Sequence, residues 1–189
     1  MTKTLFLLLL LPFLGFAQIK EGSYSIKSTN SAPYNSLANI IAQINLKGIE
    51  GAVTLLLEED QIITSQIVIN KFDGSSTQNT LTIKPNVGKK IKIRGQNLNG
   101  YTSVPAIFVF NGTSNIIIDG SNSDTNTNDL TIINEDQLTY ANRTIIFVAS
   151  DSKTNTPSTN IIVRNSTLQF TGTNGAENLL VGVYSGNYQ

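Results

Sequence analysis

The sequence predicts an all-β chain, a right-handed parallel β-helix that begins with a short capping α-helix. From residue 51 onward, short apolar segments follow one another, each bounded by Gly, Asn, Asp, Ser or Pro, as expected of strands separated by turns. A longer unit also recurs, because Ala106-Ile-Phe-Val-Phe, Thr144-Ile-Ile-Phe-Val and Leu179-Leu-Val-Gly-Val start 38 and then 35 residues apart. That spacing lies within the range of solenoid repeats.

The first 17 residues have the pattern of a secretory signal peptide. Lys3 precedes an apolar run over residues 5–14, and the small-x-small triplet Gly15-Phe16-Ala17 predicts cleavage before Gln18. The run is shorter than the ~20 apolar residues that cross a bilayer, and no later run is long enough. We therefore expect a secreted protein, extracellular or on the outer cell surface, without a membrane span.

Residues 18–50 are predicted to form an N-terminal cap containing a helix at about residues 36–47. Apolar residues recur at helical spacing at Leu37, Ile40, Ile41 and Ile44. Asn35 or Ser36 can cap the start of this helix, and Gly48 can end it. Such a helix would cover the first coil and block edge-to-edge association.

Residues 51–189 are predicted to form the coils. The expected strands are residues 53–57, 67–69, 81–83, 91–93, 107–110, 116–118, 130–133, 145–148, 161–163 and 179–183. An asparagine stands shortly before four of them, at Asn79, Asn115, Asn128 and Asn160. In stacked coils an asparagine amide can bond the same amide one coil above and below, so we expect amide ladders at the bends.

A β-sandwich is the alternative fold. Asn111-Gly112 between two apolar runs is a strong hairpin signal, and continuous apolar runs suit buried sandwich strands. Residues 113–115 lengthen this turn, however, and the recurrence of the long unit favours the solenoid.

Three stretches carry a family resemblance: the signal end Phe16-Ala17-Gln18, the helix before Gly48-Ile-Glu-Gly-Ala-Val, and Thr80-Leu-Thr-Ile. With them the chain resembles the N-terminal regions of large secreted, pectate-lyase-like β-helix proteins that Gram-negative bacteria export by type IX secretion. The resemblance implies a non-enzymatic surface module for adhesion or glycan binding. Such proteins usually carry a C-terminal sorting domain, so we expect this sequence to be a fragment truncated at its C-terminus.

Composition narrows the chemistry that the chain can perform. It has no His and no Cys, which excludes Ser-His-Asp and Cys-His nucleophiles, imidazole zinc sites and thiolate chemistry. The formal net charge is zero, so no nucleic-acid partner is expected. The alternative function is a fragment of a polysaccharide-degrading β-helix enzyme, a glycoside hydrolase or lyase, although the paired-Asp, Gly-His-Gly and Arg-rich signatures of such enzymes are not found.

One row of cations is a candidate glycan-binding site. Strand alternation places Lys90, Lys92 and Arg94 on one face, where they can hold an anionic polysaccharide or cell-surface glycan. Arg94 can bind a uronate carboxylate through two hydrogen bonds. Tyr101 and Tyr140 are predicted to lie in loops, where they can stack on sugar rings.

The segment after residue 123 is a candidate calcium loop. Asp124, Asn126, Asn128 and Glu135 occupy its first, third, fifth and twelfth positions, and all carry oxygen ligands. The sixth position holds Asp129 in place of the usual Gly, and no helices flank the loop. The alternative is a solvated Asn/Thr/Asp-rich loop, and no other cofactor is expected.

Overall fold

The structure, a computed structural model, describes residues 17–99, 105–123, 126–136, 143–171 and 178–188. In these ranges the chain forms one α-helix and thirteen β-strands. In chain order they are β1 (Ile19–Ile26), α1 (Leu37–Lys47), β2 (Ile49–Leu57), β3 (Gln61–Ser65), β4 (Ile67–Asn70), β5 (Leu81–Pro85), β6 (Ile91–Asn99), β7 (Ala106–Asn111), β8 (Ser114–Asp119), β9 (Leu130–Asn134), β10 (Arg143–Asp151), β11 (Thr159–Arg164), β12 (Ser166–Phe170) and β13 (Asn178–Tyr188). The signal-peptide prediction falls on residues almost all of which lie outside these ranges.

The strands form three sheets. Sheet A has the order β1-β2-β5-β8-β11, sheet B has β12-β9-β6-β3, and sheet C has β13-β10-β7-β4. From β2 onward the chain visits the sheets in strict rotation, so each strand pairs with the strand three places away in sequence. All pairings between the described strands are parallel. The predominantly β, parallel-stranded architecture is therefore confirmed, and it is compatible with a parallel β-helix.

The long sequence repeat corresponds to the register of sheet C. Thr144 of β10 pairs with Ala106 of β7 on one side and with Leu179 of β13 on the other. The hairpin that the alternative β-sandwich would place at Asn111-Gly112 does not form, because β7 belongs to sheet C and β8 to sheet A. Gly112 instead turns the corner between the sheets with a positive φ of 61°. The antiparallel pairing that a β-sandwich requires is not found among the described strands.

The three sheets share an apolar core. A single cluster of buried side chains joins residues of all three sheets with those of α1. In sheet C the column Ile67, Phe108 and Ile146 is at most 2% exposed. In sheet A the column Val53, Leu81 and Ile116 is fully buried. Aliphatic side chains at matching positions of neighbouring strands therefore pack on one another in the core.

The helix forms where its apolar spacing predicts it. Ser36 caps its start, with Oγ accepting a hydrogen bond from the N–H of Asn39 at 3.2 Å, and Gly48 ends it at a positive φ of 75°. The four apolar residues at helical spacing are all buried. Among the described residues, no helix is both long and apolar enough to span a membrane.

The side chain of Asn45 on α1 makes hydrogen bonds to the edge strand β4 of sheet C that a neighbouring strand would otherwise make. The Asn45 amide donates to the carbonyl of Val68 at 2.7 Å and accepts from the N–H of Asn70 at 3.0 Å. These two bonds satisfy one carbonyl and one N–H of the edge strand β4 that would otherwise be open to pairing. The start of the helix is also held, because the Leu37 N–H donates to the Gln61 side chain at 3.1 Å.

An amide ladder forms at the corner before sheet A. Asn160 Nδ2 donates to Asn115 Oδ1 at 2.8 Å, and both residues have positive φ, a conformation that asparagine tolerates well. The ladder does not extend to Asn79, because the Asn115 amide donates instead to Ser75 Oγ at 3.1 Å. Asn128 precedes a strand of sheet B and so lies outside this ladder.

Candidate functional site

The predicted cation row lies along β6 in sheet B. Ile91 and Ile93 are buried at 3% and 0% exposure, and the intervening Lys92 is exposed. Arg94 follows at an intermediate exposure, and Lys90 is exposed immediately before the strand. The alternation predicted for this segment is therefore observed. Across sheet B, Lys92 is in register with Thr131 on β9, and Thr131 is in register with Thr167 on β12.

Arg94 is engaged by a carboxylate of the same protein. Its Nε donates to Glu135 Oε1 at 2.8 Å, and its Nη2 lies 2.8 Å from the same oxygen. Gln96 Nε2 donates to the other carboxylate oxygen at 2.6 Å. A uronate carboxylate that binds Arg94 must therefore compete with Glu135, a constraint that the sequence pattern did not indicate.

The environment of Glu135 favours its charged form. Burial by itself raises the pKa of this carboxyl, but hydrogen bonds from Gln96 and Arg94, with the positive charges of Arg94 and Lys92, lower the pKa overall. The carboxylate thus stays ionised at neutral pH and neutralises the Arg94 guanidinium. The two lysines remain the exposed cations of the row.

An open groove adjoins the row. It has a volume of about 450 Å³ and is lined by Arg94, Gln96, Asn97, Glu135 and Thr171. The lining combines a guanidinium, a carboxylate, two amides and a hydroxyl, which are the groups that hydrogen-bond sugar hydroxyls.

A buried arginine lies beside this groove. Arg143, at the start of β10, has 0% exposure, and its Nη1 donates to the carbonyls of Asp136 and, at 3.1 Å, Thr171. Its Nε donates to Asn178 Oδ1 at 3.0 Å, and its guanidinium lies 5.4 Å from the centre of the Phe170 ring. Arg143 thus ties together the chain segments that pass from sheet B to sheet C. Sequence analysis missed this role, because its partners are up to 35 residues away.

Tyr101 and Tyr140 lie outside the described residues, as does Asp124, the first predicted calcium ligand. By chain order, Tyr101 falls between β6 and β7, and Tyr140 falls between β9 and β10.

The structure does not bring the described calcium candidates together. Asn126 and Asn128 precede β9 and Glu135 follows it, so a five-residue extended strand of about 17 Å separates them. Glu135 is bound to Arg94, and Asn128 Oδ1 accepts from Thr167 Oγ1 at 3.3 Å. Within the described ranges, no group of three or more His, Cys, Asp or Glu side chains is placed to hold a metal ion.

Asp119 stabilises the turn from β8 towards β9. Its carboxylate accepts hydrogen bonds from Arg164 Nε at 3.0 Å, Asn165 Nδ2 at 2.9 Å and the Ser121 N–H at 3.0 Å. Burial raises the pKa of Asp119, but the bonds from Asn165, Ser121 and Arg164 and the Arg164 charge outweigh it, so the pKa is lowered. Asp119 thus acts as a turn residue between two strands.

Acid should weaken this turn. The folded-state pKa of Asp119 lies below the ordinary value of 3.8, so the stabilisation is fully present above that value and is lost as the pH falls through the folded-state pKa. We expect Asp119→Asn to lower the free energy of unfolding by about 1.5 kcal/mol at pH 7 and to cost less at pH 3. Urea unfolding at both pH values measures this difference. Asp73→Asn, at an exposed position, is the control, and an equal cost of Asp119→Asn at both pH values would contradict the assignment.

Comparison of the chain with protein-family models, with curated proteins and with solved structures finds no match.

Proposed function

We propose that this protein is a secreted or cell-surface module, folded as a right-handed parallel β-helix, that binds glycans without turning them over. Three observations support the closed helical path: the strict rotation through three sheets, the uniformly parallel pairing and the single core shared by the sheets. Parallel strands joined through crossovers are right-handed in nearly all proteins, which supports the hand.

The glycan-binding role rests on one observation, the continuity between the cation row and the polar groove. Exposed Lys90 and Lys92 lead along β6 to Arg94, which lines the groove together with Glu135 and Gln96. An extended acidic polysaccharide can place carboxylates near the lysines and hydroxyl groups in the groove. The buried charge of Arg143, bonded to Thr171 at the groove, adds to the attraction for an anionic chain.

Export and surface localisation follow from the signal-peptide pattern at residues 1–17. The sequence motifs that resemble β-helix proteins of type IX secretion support an adhesive role, and in that setting the partner is a polysaccharide or a cell-surface glycan.

The ionisation of Asp119 and Glu135 argues against either of them as the acid of a glycoside hydrolase. A glycoside hydrolase needs one carboxylic acid that is protonated at working pH, which requires a raised pKa. Asp119 and Glu135 are both held by arginines, and their pKa values are lowered. The alternative, a polysaccharide-degrading activity, is tested by the binding experiment below.

Removing the two exposed lysines should weaken binding to polyuronates. We expect the double variant Lys90→Ala, Lys92→Ala to bind polygalacturonate or alginate about tenfold more weakly at low salt, with a smaller difference as salt screens the charges. Affinity gel electrophoresis in the presence of each polymer measures the change. The control is Lys71→Ala, Lys153→Ala, which removes two exposed lysines from other parts of the surface.

The same assay separates the proposal from its alternatives. Equal retention of the wild type and the lysine variant would refute binding at this row. Release of new reducing ends or unsaturated products from the polymer would show that the protein is a polysaccharide-degrading enzyme and not a binding module.

Glu135→Gln provides a sharper test of the groove. Because the substitution removes the competing carboxylate from Arg94, we expect affinity for polyuronates to rise about threefold to tenfold, while affinity for neutral glycans does not rise. Loss of polyuronate binding in this variant, with the fold intact by circular dichroism, would show that Glu135 itself contacts the ligand.

A further inference from the structure

A pocket with two stacked tyrosines lies in the N-terminal cap and shares no residue with the cation row or its groove. The Tyr24 and Tyr34 rings are nearly parallel, with an interplanar angle of 6° and centroids 5.0 Å apart. The pocket beside them has a volume of about 380 Å³, within the roughly 300–1,000 Å³ that is usual for small-ligand sites. We name it the tyrosine pocket, and its lining residues are Ser23, Tyr24, Ser25, Asn30, Ser31 and Tyr34.

Local hydrogen bonds hold the two tyrosines in place. Tyr24, on β1, donates from its hydroxyl to the Lys20 carbonyl at 2.9 Å, which fixes its ring along its own strand. Tyr34, in the loop before α1, accepts at its carbonyl from the Lys27 N–H at 3.1 Å. Its own N–H donates to the Ser31 carbonyl, also at 3.1 Å. A ligand therefore meets preformed walls, which lowers the entropic cost of binding.

The two rings offer aromatic surface to the pocket. Both side chains pack against the core yet keep an intermediate exposure. Because carbon atoms in contact are roughly 3.5–4.0 Å apart, parallel rings with centroids 5.0 Å apart are shifted sideways by about 3 Å. Each ring thus leaves part of its surface uncovered by the other. Such a surface suits the apolar C–H face of a sugar ring, since tyrosine combines an apolar body with a polar tip.

Around the rings, the lining supplies hydrogen-bonding groups without charge. The hydroxyls of Ser23, Ser31 and Tyr34 make no hydrogen bond to any other residue that the structure describes, so each can bind a ligand hydroxyl. Asn30 Nδ2 donates to the Ser25 carbonyl at 2.8 Å, and Asn30 Oδ1 can accept from a ligand. The pocket thus combines aromatic surface with both donors and acceptors.

We propose that the tyrosine pocket binds one sugar unit of a neutral glycan, with the sugar ring against the tyrosines and its hydroxyls bonded to the serine, tyrosine and asparagine side chains. The uncharged lining offers a uronate no ion pair, in contrast to Lys90 and Lys92. A proline-rich peptide also docks on aromatic surfaces. A sugar fits this lining better, because its hydroxyls donate as well as accept, whereas prolyl groups only accept. This specificity is separate from that of the cation row and does not depend on it.

Affinity gel electrophoresis of the exported protein in dextran, laminarin, xyloglucan or galactomannan tests this proposal. We expect at least one of these neutral polymers to retard the wild type, and Tyr34→Ala to weaken that binding at least about tenfold through loss of the stacking surface. Tyr34→Phe keeps the ring and loses only the hydroxyl, so it should bind about threefold more weakly. The double variant Lys90→Ala, Lys92→Ala should bind the neutral polymer like the wild type, which distinguishes this site from the cation row.

A variant at exposed positions keeps the test valid if Tyr34→Ala disturbs the cap. The double variant Ser23→Ala, Ser31→Ala removes two exposed hydroxyls, and we expect about fivefold weaker binding to the same polymer with an unchanged circular dichroism spectrum. Retardation of the wild type by none of the four polymers would overturn the proposal, as would equal retardation of the wild type, Tyr34→Ala and the serine variant. Binding of a proline-rich peptide in place of the polymers, lost in Tyr34→Ala, would assign the pocket to a peptide and overturn it as well.

Discussion

Replacing Phe108 with alanine is expected to lower the free energy of unfolding by about 3–5 kcal/mol. Phe108 is fully buried on β7, in register with Ile67 on one side and Ile146 on the other. Its ring also packs beside that of Phe110, with centroids 6.4 Å apart. Because a stack of strands cannot close around one missing ring without moving neighbours on both sides, the cavity should persist and the cost should be near the upper end of this range.

Equilibrium unfolding in urea measures this effect. The control is Leu46→Ala, which removes a large apolar side chain that is 63% exposed on α1 and should change stability by less than about 0.5 kcal/mol. A loss below 1 kcal/mol for Phe108→Ala would mean that the core between the sheets is not packed as described.

Gly120→Ala is expected to lower the free energy of unfolding by about 3 kcal/mol, at the high end of overpacking costs. A Cβ at residue 120 would overlap the backbone carbonyl oxygen of Asn165, which lies in the turn between β11 and β12. The Gly120 N–H donates to the Arg164 carbonyl at 2.9 Å, so the two turns cannot separate without losing this hydrogen bond. The substitution therefore tests the close stacking of successive turns.

A second glycine separates this steric clash from simple backbone strain. Gly88 has a positive φ of 74°, but a Cβ there meets nothing within 4 Å. We expect Gly88→Ala to cost only about 1 kcal/mol through its left-handed conformation. Similar costs for the two substitutions, measured by urea unfolding, would argue against the tight contact between the turns at residues 120 and 165.

The sequence is sufficient to predict most strands of this protein. Each of the ten expected segments lies within an observed strand, and all but the last supply apolar residues that are buried in the core or pack against it. It did not predict β1, β3 or β12. These strands are short or polar along much of their length, as in Lys20-Glu-Gly-Ser and Ser166-Thr-Leu-Gln, and are recruited by pairing with a parallel neighbour. Tertiary pairing overrides weak local propensity there.

The candidate site could be predicted only in part. Alternation along β6 gave the positions of Lys92 and Arg94, since it depends on local geometry alone. The partner of Arg94 depends on the register between β6 and β9, which joins residues 41 positions apart. For the same reason the sequence grouped Glu135 with Asn126, although the intervening β9 holds them at opposite ends of a strand.

The most direct test of the account is the set of nuclear Overhauser contacts made by β8 in the exported protein. If strands of successive turns pair in parallel, Ile116 and Ile118 should show backbone contacts to Leu81 and Ile83 on one side and to Ile161 and Val163 on the other. Contacts from β8 back to β7 in an antiparallel register across residues 111–113 would instead show a hairpin. That result would contradict the stacked parallel architecture and, with it, the proposed glycan-binding face.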